Sequence, residues 1–284
     1  MQFLGLNDKQ WIWLATAIFA AISAFGTYSA LKLKRRTGHS YVIGLVILGW
    51  ILQTTGLYVR GQEYGGCPLA NQFELVQFVV WSAIALYIFV GSAFRVSLLG
   101  VFISGFATIF SILSLSISSW DNLDRTPIFG DNPWIEIHAA LALFSYGVFG
   151  ILALTSAMYL LQSRSLKKKK MGGLFPFLPS IVELATINMR LAWIGFCIFS
   201  SSLCIGSIHW FSDLDSVNFQ KIGTSILVWF SYSLLIIVRA RQNIGIKKYS
   251  WTAIYLFIAA ILSLNAVGSK PVDIEPTAPS TSEP

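Results

Sequence analysis

Two histidines stand where an apolar segment meets its polar flank, a position that could give them chemistry. His138 is the sixth residue of an apolar segment that begins at Pro133, and His209 ends another such segment. Imidazole nitrogens ligate metal ions and heme iron, and two neutral imidazoles that face each other could hold an iron axially. The sequence contains no HExxH motif and no cysteine pair at zinc spacing, which disfavours a zinc hydrolase.

A second interpretation of these residues needs no ligand. A histidine at a membrane surface is often only a hydrogen-bonding residue, and Glu74, at the start of a third apolar segment, could simply reach the lipid headgroups. Trp134 likewise suits the belt of aromatic residues that marks a membrane boundary. The spacing alone leaves both interpretations open.

The elements that must position these residues follow from the composition. Of 284 residues, 55% are hydrophobic and only 12% are charged, whereas a soluble domain carries roughly 25% charged residues. This excludes an ordinary soluble or a disordered protein and indicates a polytopic membrane protein, since each span needs about 20 mostly apolar residues. We predict an all-α membrane bundle of eight transmembrane helices. The apolar segments lie at 10–31, 41–60, 71–92, 96–118, 133–162, 190–210, 222–239 and 249–267.

Positive charge is concentrated on one side of this predicted bundle. The loops after spans one, three, five and seven, with the span ends that adjoin them, contain 15 of the 20 basic residues. They contain only one of the 13 acidic residues, Glu183. We call this side the basic end and the other the acidic end. The positive-inside rule makes the basic end cytoplasmic, so both termini are predicted on the outer side of a cell (inner or plasma) membrane. The net charge of +7 is therefore a signal of topology, and no nucleic-acid partner is expected.

One transmembrane domain is predicted to occupy residues 1–270. The remaining residues, 271–284, form a Pro-rich tail with no large apolar residue after Ile274, and such a composition predicts disorder. The segment 172–189 contains two glycines and two prolines. It is predicted to be a loop that leads into a short amphipathic helix before the sixth span.

Two stretches resemble the cytochrome c assembly membrane proteins, the CcsA/CcmC/HemX-like family. The sequence CPLANQFE at 67–74 resembles the family motif PLSNxYE, which leads into the third span. Trp134, His138 and Tyr146 resemble its W-x-x-x-H motif followed by a tyrosine eight residues later. The stretch 178–206 resembles the segment that leads into and through the next span. The resemblance covers residues 67–240, and the eight-span layout agrees over nearly the whole chain.

The resemblance implies a heme-handling protein. Family members present heme to apocytochrome c at the outer face of the membrane, where a Trp-rich loop (the WWD motif) cradles it and histidines ligate the iron. His138 falls on one of those histidines, and we expect Trp134 and Tyr146 to shape the pocket and Glu74 to fix the loop over it. His209 matches no ligand position of the family and is a candidate second axial ligand because it ends span six on the outer side.

The resemblance also implies partners and a type of activity. Besides the lipid bilayer, which the composition already implies, the expected partners are heme and either other cytochrome c assembly subunits or apocytochrome c. No enzyme is expected, because thioether attachment uses the thiols of the client protein and the vinyl groups of heme, while the membrane protein orients them.

The chain departs from the family pattern in ways that favour an alternative. Residues 209–221 contain no WWD motif, the family's histidine in span seven aligns with Ile237, and the histidine near the end of the last span is missing. This pattern resembles the shorter HemX/YpjD-like branch, which implies heme-pathway regulation or accessory cytochrome assembly. The alternative is a regulatory or scaffold subunit with no bound cofactor. A transporter is a weaker third hypothesis, because no broken helix is evident in the sequence.

Overall fold

The protein is an all-helical bundle, as predicted. A computed structural model describes residues 4–34, 38–64, 67–94, 97–121, 133–169, 177–212 and 219–267. The described residues form eight α-helices in this order: α1 (Asp8–Tyr28), α2 (His39–Tyr64), α3 (Gln72–Phe94), α4 (Ser97–Ser116), α5 (Pro133–Lys167), α6 (Ile181–Ser212), α7 (Phe219–Ala240) and α8 (Ile246–Val267).

Most of these helices match the requirements of a membrane span. Within the described residues, seven helices, α1 to α7, are long and apolar enough to cross a bilayer. The eighth, α8, is 22 residues long, but Lys247 and Lys248 in its first turn lower its mean hydropathy. The prediction of a polytopic membrane bundle is confirmed.

Local sequence explains where the helices begin. Asn7 caps α1 by a capping box with Gln10, in which each side chain accepts a hydrogen bond from the other's backbone N–H at 2.8 and 2.9 Å. Pro133 opens α5, where its missing N–H would be unpaired in any case. The Ser180 hydroxyl accepts from the Glu183 N–H at 3.2 Å and so caps α6.

This cap corrects one expectation about the sixth span. The sequence predicted a separate short amphipathic helix before residue 190, but α6 runs without a break from Ile181 to Ser212. The polar residues Thr186 and Asn188 do not interrupt it, because a polar side chain inside a helix leaves the backbone hydrogen bonds intact. The first turns of α6 therefore extend the span at the basic end.

Side-chain contacts show that neighbouring helices run in alternating directions. Gly26, near the end of α1, lies against Val101, near the start of α4, and Ser202, late in α6, contacts His138, early in α5. Odd-numbered helices thus begin at the acidic end and even-numbered helices begin at the basic end. Residues 271–284, the predicted tail, lie outside the described residues, so the division into one domain and a tail stays a prediction.

The bundle centre is built by α5 against α3, α6, α7 and α8. A Cβ added at Gly147 of α5 would stand 2.6 Å from the Cβ of Ser82 in α3, so the missing side chain lets these two backbones approach closely. Phe149 stacks on Tyr232 of α7 with ring centres 3.7 Å apart. These contacts hold α5, the helix that carries His138, in a fixed position.

Candidate functional site

His138 is fixed to α6 by a reciprocal pair of hydrogen bonds. Its ring Nδ1 lies 2.7 Å from the Ser202 carbonyl oxygen and 3.1 Å from the Ser202 hydroxyl. In return, the Ser202 hydroxyl donates to the His138 carbonyl oxygen at 2.8 Å. The side chain is partly buried. The histidine ring and the backbone of α5 are therefore both held by one residue of α6.

This geometry decides which ring nitrogen carries the proton. A backbone carbonyl oxygen can only accept, and the Ser202 hydroxyl hydrogen is already directed at the His138 carbonyl. Nδ1 must therefore be the donor, which places the lone pair of the neutral ring on Nε2. A histidine that ligates a metal commonly donates its other N–H to a backbone carbonyl in this way, which fixes the ring and raises the basicity of the ligand nitrogen.

Gly206 makes room for the ring one turn beyond Ser202. A Cβ at position 206 would stand 2.6 Å from the His138 Nδ1 and 2.7 Å from its Cε1. Any side chain at this position would push the ring away from Ser202. Gly206 therefore belongs to the His138 site, although it carries no functional group.

The other predicted pocket residues of α5 lie at different depths. Trp134 is one turn before His138 and its side chain is 60% exposed, so it can contact a ligand or lipid beside the histidine. Tyr146 is buried and makes an edge-on contact with Phe199 at 5.9 Å between ring centres. Because it follows His138 by eight residues, it lies about 12 Å further along the helix. The structure thus groups Trp134 with His138 and places Tyr146 in the core.

Two predicted residues remain, His209 and Glu74. The structure describes the side chain of Glu74 but not that of His209. His209 follows Ser202 by seven residues, which puts its backbone two turns further along the same side of α6, about 10 Å towards the acidic end. Its side chain lies outside the described part of the chain, so axial pairing with His138 stays a prediction. Glu74 is completely buried and its described contacts point towards α2, not towards α6.

A buried ionic cluster holds Glu74. Arg60 of α2 is 1% exposed and donates from Nε to Glu74 at 2.6 Å, from Nη1 to Asp8 at 2.7 Å, and from Nη2 to Asp121. Lys9 forms a second ion pair with Asp121. We call these five residues the Arg60 cluster. It joins α1, α2, α3 and the chain after α4 at the acidic end.

The Arg60 cluster also fixes the loop before α3. The second Glu74 carboxylate oxygen accepts from the Ala70 N–H at 2.7 Å, and the Asn71 side chain donates to Asp121 at 3.2 Å. Burial alone would raise the pKa of Asp121, but the Lys9 hydrogen bond and the Arg60 charge outweigh it and hold that pKa below its ordinary value. The expected role of Glu74, fixing this loop, agrees with these contacts.

The same loop extends towards the start of α5. Burial raises the pKa of the Cys67 thiol, and the negative charge of Glu136, two residues before His138, raises it further. A Coulombic effect of this kind requires the two side chains to be near each other. Cys67 thus lies near the first turns of α5, whereas Ala70 and Asn71 of the same loop contact the Arg60 cluster.

Glu74 and His138 share one level of the bundle. Gly147 of α5 meets Ser82 of α3, Glu74 is eight residues before Ser82, and His138 is nine residues before Gly147. The two helices run in parallel, so Glu74 and His138 differ by only about 2 Å along their axes. The structure places them at one height, with contacts to different neighbours.

A cavity lies beside the same loop, between α2 and α3. It is a cavity of about 460 Å³ whose lining includes Thr54, Tyr58, Pro68, Phe78 and Trp81. Trp81 is held there by a hydrogen bond to the Thr54 hydroxyl at 2.8 Å. An aromatic-lined cavity suits a flat apolar ligand. A ligand near the loop could therefore lie in this cavity instead of beside His138 between α5 and α6.

Sequence reasoning missed three residues of this end of the protein: Arg60, Ser202 and Gly206. Arg60 gave a usable signal, because an ionisable residue at the end of an apolar span is costly unless it is paired, and acidic residues begin α1 and α3 at the same end. Ser202 gave no signal in the sequence, because many serines occur in membrane spans. The helices that neighbour a span also do not follow from its own sequence.

Comparison with known proteins identifies relatives over most of the chain. The family model described as "Cytochrome C assembly protein" matches residues 69–270. Protein HemX of Brevibacillus brevis is 29% identical over 271 residues, which cover 93% of this chain and 96% of that protein. The cytochrome c biogenesis protein CcsA of Guillardia theta is 25% identical over 73% of this chain and 65% of its own length. The inner membrane protein YpjD of Escherichia coli strain K12 is 23% identical over 57% and 60%.

Proposed function

The chain belongs to the cytochrome c assembly protein family, as the resemblance predicted, and on this premise we propose that it binds or handles heme at the acidic end. This end is the outer face of the cell membrane in the proposal, so that both termini lie outside. The role is support of cytochrome c assembly, with other assembly subunits or apocytochrome c as partners. The protein is not an enzyme in this proposal.

The observation that carries the proposal is the hydrogen bond from His138 Nδ1 to the Ser202 carbonyl oxygen at 2.7 Å. It gives Nε2 the lone pair that an axial ligand needs and holds the ring in one orientation. The donor set fits heme iron, which a single histidine can ligate from one side. His209 is the proposed ligand of the opposite side.

Other residues of this end have supporting roles in the proposal. Trp134 offers an exposed ring one turn from His138. The loop 67–71 covers the site from the side of α3 and is held by Glu74. Tyr146 acts from the core, where its contact with Phe199 keeps α5 and α6 together beneath the histidine. Bound heme supplies a redox-active iron that the protein can orient for transfer.

A second candidate function is a regulatory or scaffold subunit without cofactor. It is favoured by the histidine content, since the whole chain has three histidines and lacks two that its family pattern contains. The long match with a protein named HemX supports this alternative, because the chain itself contains no WWD motif in residues 209–221. In this case the same bundle holds a protein partner.

An absorption spectrum of the purified protein distinguishes the two functions. The full chain is expressed with heme available and purified in detergent beside His138→Ala, His209→Ala and His39→Ala. His39 begins α2 at the basic end, so its variant is a matched control for loss of a histidine. We expect a Soret band in the parent protein. His138→Ala should abolish this band, and added imidazole should restore it in that variant. His39→Ala should retain the band.

The outcomes separate the alternatives. Loss of the band in both His138→Ala and His209→Ala supports ligation by two histidines. A band that survives in His138→Ala contradicts the proposed ligand. A parent protein with no band favours the scaffold function, which then predicts a stable partner that co-purifies with the full chain.

A further inference from the structure

The basic end contains a pocket that the proposed function does not use. It lies between α6 and the turn that joins α7 to α8, and its volume is about 510 Å³. The lining residues are Met189, Arg239, Ala240, Gln242, Ile244 and Gly245. This site is at the opposite end of the bundle from His138.

The pocket contains a positioned cation. The Arg239 Nη1 donates to the Ile244 carbonyl oxygen across the turn at 2.9 Å, which holds a partly buried guanidinium in the wall. Among the described residues, ion pairs with carboxylates are made by Lys9 and Arg60, and Arg239 makes none. A guanidinium offers five N–H donors, so one bond to a carbonyl leaves most of its capacity for an anion.

The surroundings strengthen the attraction for an anion. Four more exposed cations lie near the pocket in the sequence: Arg190 in α6, Arg241 directly after α7, and Lys247 and Lys248 in the first turn of α8. The single acidic residue on this side of the sequence, Glu183, lies in the first turn of α6, two turns before Met189. The local charge is therefore strongly positive, and phosphate groups bind well to such clusters.

The depth of the pocket identifies the kind of anion. The span of α7 ends at Ala240, so the pocket lies where the hydrocarbon layer meets the headgroups. One turn deeper, each wall helix presents a large apolar side chain to the lipid: Trp193 follows Met189 on α6 and is 48% exposed, and Ile237 precedes Ala240 on α7 and is 47% exposed. A ligand that fits both features carries an anionic group at the surface and apolar chains below it.

We propose that this pocket binds the phosphate headgroup of an anionic phospholipid, with its acyl chains along Trp193 and Ile237. Basic pockets between transmembrane helices on the cytoplasmic side are suited to such headgroups. The site would couple the turn between α7 and α8 to α6, because Arg239 lies on one side of the pocket and Met189 on the other.

The lysines after α5 provide a control. Lys167, Lys168 and Lys169 are at the same end of the bundle and are exposed, and none of them lines this pocket. Loss of one of these charges changes the net charge as much as loss of Arg239 does. General attraction to an anionic membrane would respond equally to either change, whereas the proposed site responds only to Arg239.

The test is native mass spectrometry of the full chain in a neutral detergent, titrated with phosphatidylglycerol or with phosphatidylcholine of the same acyl chains. We expect phosphatidylglycerol to be retained in preference to phosphatidylcholine. Arg239→Gln should weaken its retention by about tenfold or more, as for loss of a charge-assisted hydrogen bond. Lys168→Gln should change it less than about twofold, since exposed charges contribute little.

A second variant keeps the proposal testable if Arg239→Gln disturbs the turn. Gly245 precedes α8, its backbone φ is not positive, and a Cβ there meets no atom within 4 Å. Asp is a favourable residue at a helix N-cap, so Gly245→Asp should fold and melt like the parent while placing a negative charge in the pocket. We expect it to lose phosphatidylglycerol as Arg239→Gln does.

Three results would overturn the proposal. Equal retention of the two lipids would show that no anionic headgroup is recognised. Equal weakening by Arg239→Gln and Lys168→Gln would show general charge attraction. Displacement of phosphatidylglycerol by millimolar glycerol 3-phosphate would assign the pocket to a soluble phosphate compound.

Discussion

Arg60 and His138 both lie at the acidic end, but the protein surrounds them in opposite ways. Arg60 is 1% exposed, bonds to three carboxylates from three segments, and lies 4.8 Å from the ring centre of Phe73. His138 is partly buried, and its bonds to Ser202 involve one ring nitrogen and one carbonyl oxygen. The first residue is enclosed by its partners, whereas the second is oriented by them.

The difference shows which charges serve the fold. A buried ion must be paired to be tolerated, and the described hydrogen bonds of Arg60 meet this requirement with three carboxylates. The described bonds between His138 and Ser202 are made by neutral groups, which orient the imidazole ring without fixing its charge. We therefore expect changes in the Arg60 cluster to act on stability and changes around His138 to act mainly on ligand binding.

The largest effect is expected for Arg60→Ala. It leaves Asp8, Glu74 and Asp121 at the acidic end without their shared cation, and such a loss costs about 3–5 kcal/mol of stability. Thermal unfolding of the detergent-purified protein, followed by tryptophan fluorescence, measures it. Arg241→Ala removes an exposed arginine at the basic end and should stay within about 0.5 kcal/mol of the parent. Equal melting temperatures for Arg60→Ala and Arg241→Ala would contradict the structural role of the Arg60 cluster.

A smaller loss of stability is expected for Gly206→Ala, and Gly223→Ala is its control. The added methyl group at position 206 overlaps the His138 ring, and overpacking of this kind costs about 1–3 kcal/mol. At Gly223 of α7 a Cβ meets no atom within 4 Å, so alanine should be neutral or stabilising by up to about 1 kcal/mol.

The same pair of variants also sharpens the comparison between fold and site. If heme binds at His138, Gly206→Ala should lower the heme affinity as well as the melting temperature, because the ring must leave Ser202. Gly223→Ala should leave the affinity unchanged. Opposite shifts of melting temperature in the two variants support the close approach of α6 to the ring, whereas a parallel shift argues against it.

Most of the fold could be predicted from the sequence, for a physical reason. A membrane span must satisfy its backbone inside one helix, so the apolar stretches at 71–92 and 222–239 reappear as α3 and α7 with small changes of boundary. The start of α6 was not predicted, because the glycines and prolines in 172–179 favoured a loop and a separate short helix before residue 190. The structure instead has one continuous helix capped by Ser180.

The candidate site could be predicted only in part. His138 was found because of its motif, and its partner Ser202 was not, since the pairing of α5 with α6 depends on how spans assemble. Arg60 ends the second predicted span at the acidic end, and nothing in that span identifies its partners. Its burial follows from the meeting of α1, α2 and α3, which no single span encodes.

A smaller effect is expected from protonation of Asp121. Its folded pKa lies below the ordinary value of 3.8, so its contribution to stability is complete above that value and is lost as the pH falls through the folded pKa. The difference in melting temperature between the parent and Asp121→Asn should therefore be constant near neutral pH and should shrink as the pH falls below 3.8. A difference that grows with acid would mean that the folded pKa is raised, not lowered.

The smallest effect is expected on the alkylation rate of Cys67, which lies in the loop 67–71. Its raised pKa leaves little thiolate at neutral pH, so alkylation by iodoacetamide should be slower than for a free cysteine and should accelerate at higher pH. Glu136→Gln removes the second cause of the shift and should increase the rate modestly, while burial persists. The assay uses a Cys197→Ser, Cys204→Ser background, because both of these cysteines are exposed. The matched change Glu183→Gln, at the basic end, should have no effect on the rate. If both glutamine variants react alike, Cys67 does not lie beside Glu136, and the loop does not link the Arg60 cluster to the start of α5.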